Sequence, residues 1–434
     1  RENEGADQEI NASTSQIPCF TLVKIGEPAM MRRTIHDGIT NPIPILHAED
    51  TVISVFRDHE LQSILNTATS DLNMQHSSPV LSPATAPMDD LCNELAQIAN
   101  TINKVSDWPS ESLRICGERG VYRWFLSEEH GGYGWSASDQ IRGYLRLSQA
   151  DLTTTFVITQ YMGAVRRIAA SGNTTVIATW LEKLADGTQF STVGISHLTT
   201  SRRHLSQPAL RAEEVAGGYV LDGIAPWVTG APHADLYVVG ATLPNNDQVL
   251  LAVPSTLKGV IAGAGHELVA LSASCTDQVA FEQVQVEQSM LLNGPKENVL
   301  KCATGIRTGG LQTSTLAIGL AQAAVQFLAT EATKRTELQE AAAELTQEVD
   351  ALTLRLLNAS ESDTDCDTSE IRTLANRLAL RTTQAALTAA KGAGFVQGHP
   401  VGRWCREALF FLVWSCPQPI AQAHLCELAF GTHS

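Results

Sequence analysis

The sequence predicts an α+β chain with an all-α N-terminal domain, a middle antiparallel β-domain and a C-terminal four-helix bundle. Three observations predict it. Apolar residues recur at three- and four-residue steps up to about Gly187, the period drops to two from Phe190, and the helical period returns past Pro295. These switches divide the chain into a poorly ordered leader over 1–87, a helical domain over 88–189, a β-domain over 190–294 and a helical bundle over 295–434.

Residues up to about Pro87 are rich in Ser, Thr, Asn, Asp and Pro, with only isolated apolar triplets, a composition that buries little surface. The chain begins at Arg1, and Met74 and Met88 are each plausible starts, so part of the leader is expected to be an upstream extension. Leu91, Leu95, Ile98 and Ile102 then mark a first helix that Asp89 can cap. A second is expected over Ser112–Leu126, ending before Gly131 and Gly132, and others over Ser138–Ala150, Thr153–Ser171 and Thr174–Asp186. Strands are expected at Ser191–Ile195, Leu210–Val215, Tyr219–Asp222, Leu236–Ala241, Val249–Pro254 and Asp277–Phe281, with a hairpin turn at Ala216–Gly217–Gly218. No helix separates them, which argues for a largely antiparallel sheet. Long helices follow at about Lys301–Lys334, Thr336–Asn358, Thr368–Ala390 and Pro400–Leu412. In the second of these, Leu338, Ala342, Leu345, Val349, Leu352 and Leu356 form a bundle seam.

Composition narrows the function. With 44% hydrophobic and 18% charged residues over 434 positions, the chain can bury sizeable cores. Its 30 Lys and Arg against 46 Asp and Glu give a net charge of −16, which disfavours nucleic acid as a partner. The apolar run Ala408–Trp414 is far short of the roughly 20 residues that span a bilayer, so a soluble, cytoplasmic protein without a membrane span is expected. Nine cysteines without a CxxC pair imply neither a disulfide framework nor a zinc ribbon.

Several local patterns have ordinary explanations. Asp363, Asp365 and Asp367 alternate as in a calcium loop, but Thr368 and Leu374 stand where that loop needs Gly and Glu. Gly392, Gly394 and Gly398 follow a helix rather than a strand and are one residue too widely spaced for a dinucleotide fingerprint. His197, His204, His233, His266 and His399 lack ligand spacing, and no metal is expected. Two basic clusters, Ser201–Arg202–Arg203–His204 and Lys334–Arg335, read either as solvated charge or as phosphate contacts. Trp227 in Pro226–Trp227–Val228–Thr229–Gly230 is either a core residue or the edge of a site for a planar ligand.

Taken together, four stretches resemble the acyl-CoA dehydrogenase family from about Met88 to the C-terminus. They are Glu128–Gly134, the pair Tyr219–Gly223 and Trp227–Gly230, the strand Asp277–Phe281 with Val284 and Val286, and Gly319–Gln322 followed by Arg335. The resemblance implies FAD between sheet and bundle, a homodimer or homotetramer, an acyl-CoA or related thioester as substrate, and a separate electron acceptor or reductase. It places Trp227, Val228 and Thr229 at the isoalloxazine ring and Ser196 and His197 in the flavin-contacting loop. It further assigns Arg335 to the partner's FAD pyrophosphate, Gly392 and Gly394 to the adenine end, and Arg203 to the substrate.

In that family a glutamate removes the α-proton while the β-hydrogen leaves as hydride to the flavin. Here Ser415 occupies the usual base position, Gly309 the alternative one, and Ser127 replaces a proline in the Glu128–Gly134 turn. The loop normally built on threonine, glutamate and proline reads His197–His204, and His197 or His204 could supply an unusual base. Three readings follow: a dehydrogenase with such a base, a flavin-dependent monooxygenase on the same fold, and a catalytically inactive assembly member.

Overall fold

The computed structural model describes residues 78–199, 208–301, 311–361, 368–414 and 418–430. The leader up to residue 77, the cluster at Arg202, Arg203 and His204, Gly309, the acidic run 363–367 and Ser415 lie outside the described residues.

Helix α1 (Ala86–Ala99) carries Pro87 in its first turn, where a missing N–H removes no helical bond, and buries Met88, Leu91, Cys92 and Leu95. Thr85, not Asp89, holds the N-cap position; Asp89 sits inside the first turn and pairs with Arg146. Packing begins ahead of this helix, because the indole N–H groups of Trp124 and Trp135 donate to the carbonyls of Val80 and Leu81 at 2.9 and 3.0 Å. The single helix expected over Ser112–Leu126 is divided. Helix α2 (Ser110–Glu118) stops before Gly120, whose φ of 74° and contact with the Tyr133 hydroxyl leave no room for a Cβ, and a 3-10 turn over Val121–Phe125 continues the chain. Helices α3 (Ala137–Ala150), α4 (Leu152–Ala169) and α5 (Thr174–Ala185) follow the expected periods. Their N-caps are Ser136, Asp151 and Asn173, each accepting a backbone N–H.

The sheet orders its strands β6-β7-β3-β2-β4-β5-β8, with β1 against β4. These are β1 (Ser191–Gly194), β2 (Leu210–Val215), β3 (Gly218–Val228), β4 (Leu236–Thr242), β5 (Gln248–Pro254), β6 (Val260–Ala262), β7 (Asp277–Glu287) and β8 (Leu291–Lys296). Antiparallel pairing dominates, and β2 and β3 meet at the expected tight turn, with Val215 opposite Gly218. The β1 and β4 strands are parallel, from Ser191 opposite Leu236 to Gly194 opposite Val239. The chain leaves β1 through the short helix α6 (Ser196–Thr199) rather than through a hairpin, so no turn imposes antiparallel pairing. Strand β4 is buried on both faces. Leu236 and Val238 join the core shared with the helices, while Tyr237, Val239 and Ala241 join a second core inside the β-domain.

Helices α7 (Leu311–Ala332), α8 (Gln339–Glu361), α9 (Thr368–Ala390), α10 (Pro400–Phe410) and α11 (Gln418–Phe430) close the chain. The α8 seam of Ala342, Leu345, Val349, Leu352 and Leu356 is buried as its spacing requires. The last helix, α11, adds to the four expected. By length and composition α7 could cross a membrane, but 72% of its apolar window is buried inside the protein, as befits a core helix.

Candidate functional site

Trp227 is not a core residue. Between Ala225 opposite Val279 and Val228 opposite Asp277, strand β3 spends one residue more than β7, and the resulting bulge gives Trp227 a φ of 57° and 58% exposure. A bulky residue in the left-handed region costs about 1–3 kcal/mol, and an exposed indole forgoes burial as well. Both costs fall at a position the bulge aims outward. The neighbours of Trp227 are anchored: Val228 is fully buried, and Thr229 is 2% exposed and accepts from the Thr276 hydroxyl at 3.2 Å, which leaves its own proton to donate. Gly230 donates to the Ser274 carbonyl at 2.8 Å. Beside the indole, His266 pairs with Asp277 at 3.1 Å, a contact the sequence spacing did not suggest.

Ser196 and His197 leave β1 toward this ledge. The Ser196 hydroxyl donates to the Pro226 carbonyl at 2.7 Å, which ties the α6 loop to the residue before Trp227. The His197 ring is buried, with Nε2 at 2.8 Å from the Gly240 carbonyl, and burial pushes its pKa down. A neutral ring that donates from Nε2 keeps a lone pair at Nδ1, and Nδ1 is buried without a hydrogen-bond partner.

Arg335 and the glycine turn form a second group. The Arg335 guanidinium donates through Nη2 to Glu331 at 2.8 Å and to the Ala389 carbonyl at 2.7 Å, close in sequence to Gly392 and Gly394. Gly392 faces open space, Gly394 is buried, and the adjoining Phe395 is 86% exposed. The predicted residues thus fall into two groups, Ser196, His197, Trp227, Val228 and Thr229 in one, and Arg335, Gly392 and Gly394 in the other.

Sequence reasoning missed the ionic and aromatic groups at the start of α4. Asp151 is fully buried, accepts from the backbone and hydroxyl of Thr154, and feels the Arg403 charge; Arg403 pairs with the buried Glu407 at 3.2 Å. Burial pushes both carboxyls up against the opposing pull of Arg403. The four-residue spacing of Arg403 and Glu407 was visible as a helix pair, but its burial was not. One turn further along α4, Phe156 packs edge-on against Phe410 and Trp414, with ring centroids 4.9 and 5.0 Å away. The helix therefore touches the residue that precedes position 415.

Residues 89–188 match the family described as acyl-CoA dehydrogenase, N-terminal domain. A probable acyl-CoA dehydrogenase of Bacillus subtilis, YngJ, is 23% identical over 341 residues, covering 73% of this chain and 88% of that protein. The glutaryl-CoA dehydrogenase of Mycobacterium smegmatis in complex with FADH2 superposes with a TM-score of 0.66 at 19% identity, over 81% of this chain and 96% of that one. A glutaryl-coenzyme A dehydrogenase bound to glutaryl-CoA gives 0.67 at 17% identity, over 80% and 96%. The structural likeness speaks for the fold. Residues 89–188 thus carry an acyl-CoA dehydrogenase N-terminal domain, and the chain as a whole is similar in sequence to acyl-CoA dehydrogenases and shares their fold.

Proposed function

We propose that the chain is a FAD-dependent oxidoreductase that oxidises the CH–CH group of an acyl thioester. The observation that carries this reading is Trp227, an indole held outward in strained backbone and left uncovered, which a planar ring would cover. Thr229 offers a hydroxyl donor beside it, Ser196 fixes the loop opposite, and Arg335 with Gly392 and Gly394 would receive the phosphate and adenine end from a second copy in a homodimer or homotetramer. Bound there, FAD supplies the hydride acceptor. A neighbour that holds FADH2 and another that holds glutaryl-CoA support the pairing of flavin and thioester.

The chain's own part is to hold the ring, exclude water and take the α-proton. By resemblance the usual base positions are Ser415 and Gly309, neither of which carries a carboxylate. His197 or His204 is the candidate base; His197 has a neutral ring with an unbonded, buried Nδ1. A visible spectrum tests the proposal. The purified protein should be yellow or take up FAD, and should bleach anaerobically with an acyl-CoA. A flavoprotein that is reduced only through a separate reductase and then consumes oxygen would be a monooxygenase instead, and a folded chain that cannot be loaded with FAD overturns the reading.

A further inference from the structure

Arg167 is a buried cation without a counter-charge. It lies on α4, is 7% exposed, and among the described residues makes one hydrogen bond, from Nη1 to the Gly163 carbonyl of its own helix at 2.6 Å. A guanidinium has five N–H donors, so four are left. Among the described residues the charge that acts on it is Arg166, of the same sign, and burial, with that neighbour adding to it, pushes its pKa down to about 10. Two other buried arginines are paired with a carboxylate: Arg119, 3% exposed, meets Glu94 at 2.8 Å, and Arg403 meets Glu407 at 3.2 Å. The helix C-terminus offers Arg167 about half a charge, too little for a full charge taken out of water.

Its position is suggestive. A Cβ on Gly163 would lie 3.5 Å from Val193 and 3.6 Å from the Arg167 Nη1, so the guanidinium and the Val193 side chain of β1, three residues before Ser196, flank the same glycine. The opposite end of the same helix touches Trp414, which precedes position 415.

We infer that Arg167 is the receptor for an oxyanion of the thioester substrate, either a carboxylate on the acyl group or a phosphate of its carrier. The inference rests on the acyl-thioester reading above and adds the charge of the substrate to it. A planar fork with four open donors fits two acceptor oxygens side by side.

Calorimetric titration of the full-length, FAD-supplemented protein with three probes separates the sources. The probes are an ω-carboxyacyl-CoA, the methyl-ended acyl-CoA of equal length, and the ω-carboxyacyl-pantetheine, which lacks the nucleotide phosphates. If the acyl carboxylate is the ligand, both carboxylated probes bind the wild type about tenfold to hundredfold more tightly than the methyl-ended one, and Arg167→Met abolishes the preference. If a carrier phosphate is the ligand, both CoA probes outbind the pantetheine by that factor, and Arg167→Met removes that difference instead. Arg167→Lys, which keeps charge but not the fork, should retain part of the preference and serves if the Met variant fails to fold. Affinities unchanged by both substitutions overturn the inference alone. A wild-type protein that binds none of the probes, although yellow, overturns the inference together with the acyl-thioester reading.

Discussion

Helix α4 meets two different electrostatic solutions at its two ends. At its start, Asp151 and Glu407 share the charge of Arg403, and every member of the group has a partner inside the protein. Near its end, Arg167 is as deeply buried but has one carbonyl of its own helix and a like-charged neighbour. The helix between them is nearly all interior, with 14 of its 18 residues buried. A buried ion that the fold itself compensates is part of the scaffold, whereas one that it does not compensate implies a charge arriving from outside.

Removing the cation at the compensated end should have the largest effect. Arg403→Met leaves two carboxyl groups buried without their counter-ion, and chemical denaturation should show a loss of about 3–5 kcal/mol. A loss below about 1 kcal/mol would mean that the cluster is not cohesive, and the contrast between the two ends would disappear.

Next in size is the ledge where the substrate's redox partner is proposed to rest. Trp227→Ala should weaken FAD binding by roughly tenfold, read by fluorescence titration, without unfolding the domain, because the indole is mostly exposed and keeps little of the fold together. Unchanged affinity would remove the indole from the site.

A smaller effect concerns pH. Burial raises the Glu407 pKa, so in the window between the ordinary carboxylate value and that raised value the folded state holds a proton that the unfolded state has released. Its contribution to stability is complete below the ordinary value and is lost as pH rises through the folded one. Glu407→Gln should therefore flatten the decline of the unfolding midpoint with rising pH, and an unchanged slope would show that Glu407 does not titrate in this range.

What the sequence reveals of this molecule follows from how local each feature is. The α8 seam and the limits of α9 are set by side chains three and four residues apart, and both could be read directly. The β2–β3 hairpin was equally plain, since a two-residue turn fixes its own register. The parallel β1–β4 pair was not, because its partners are 45 residues apart and nothing in either strand names the other. The break in α2 was written in Gly120, but the reason for it is the distant Tyr133 ring. Among the candidate site residues, Trp227 and Thr229 were marked by their neighbours in the chain. Arg167 was hidden because Arg166 and Arg167 look like ordinary basic residues in a last helical turn, and only the packing of α4 against β1 shows which of the two is inside.

The smallest energetic effect is also the most decisive for the contrast. Equilibrium unfolding of Arg167→Met in the absence of thioester should give a stability within about 1 kcal/mol of the wild type, or above it, because an uncompensated buried charge has been replaced by an apolar chain. A loss of about 3–5 kcal/mol, matching that expected for Arg403→Met, would contradict this outcome and show that the protein itself already supplies the Arg167 counter-charge.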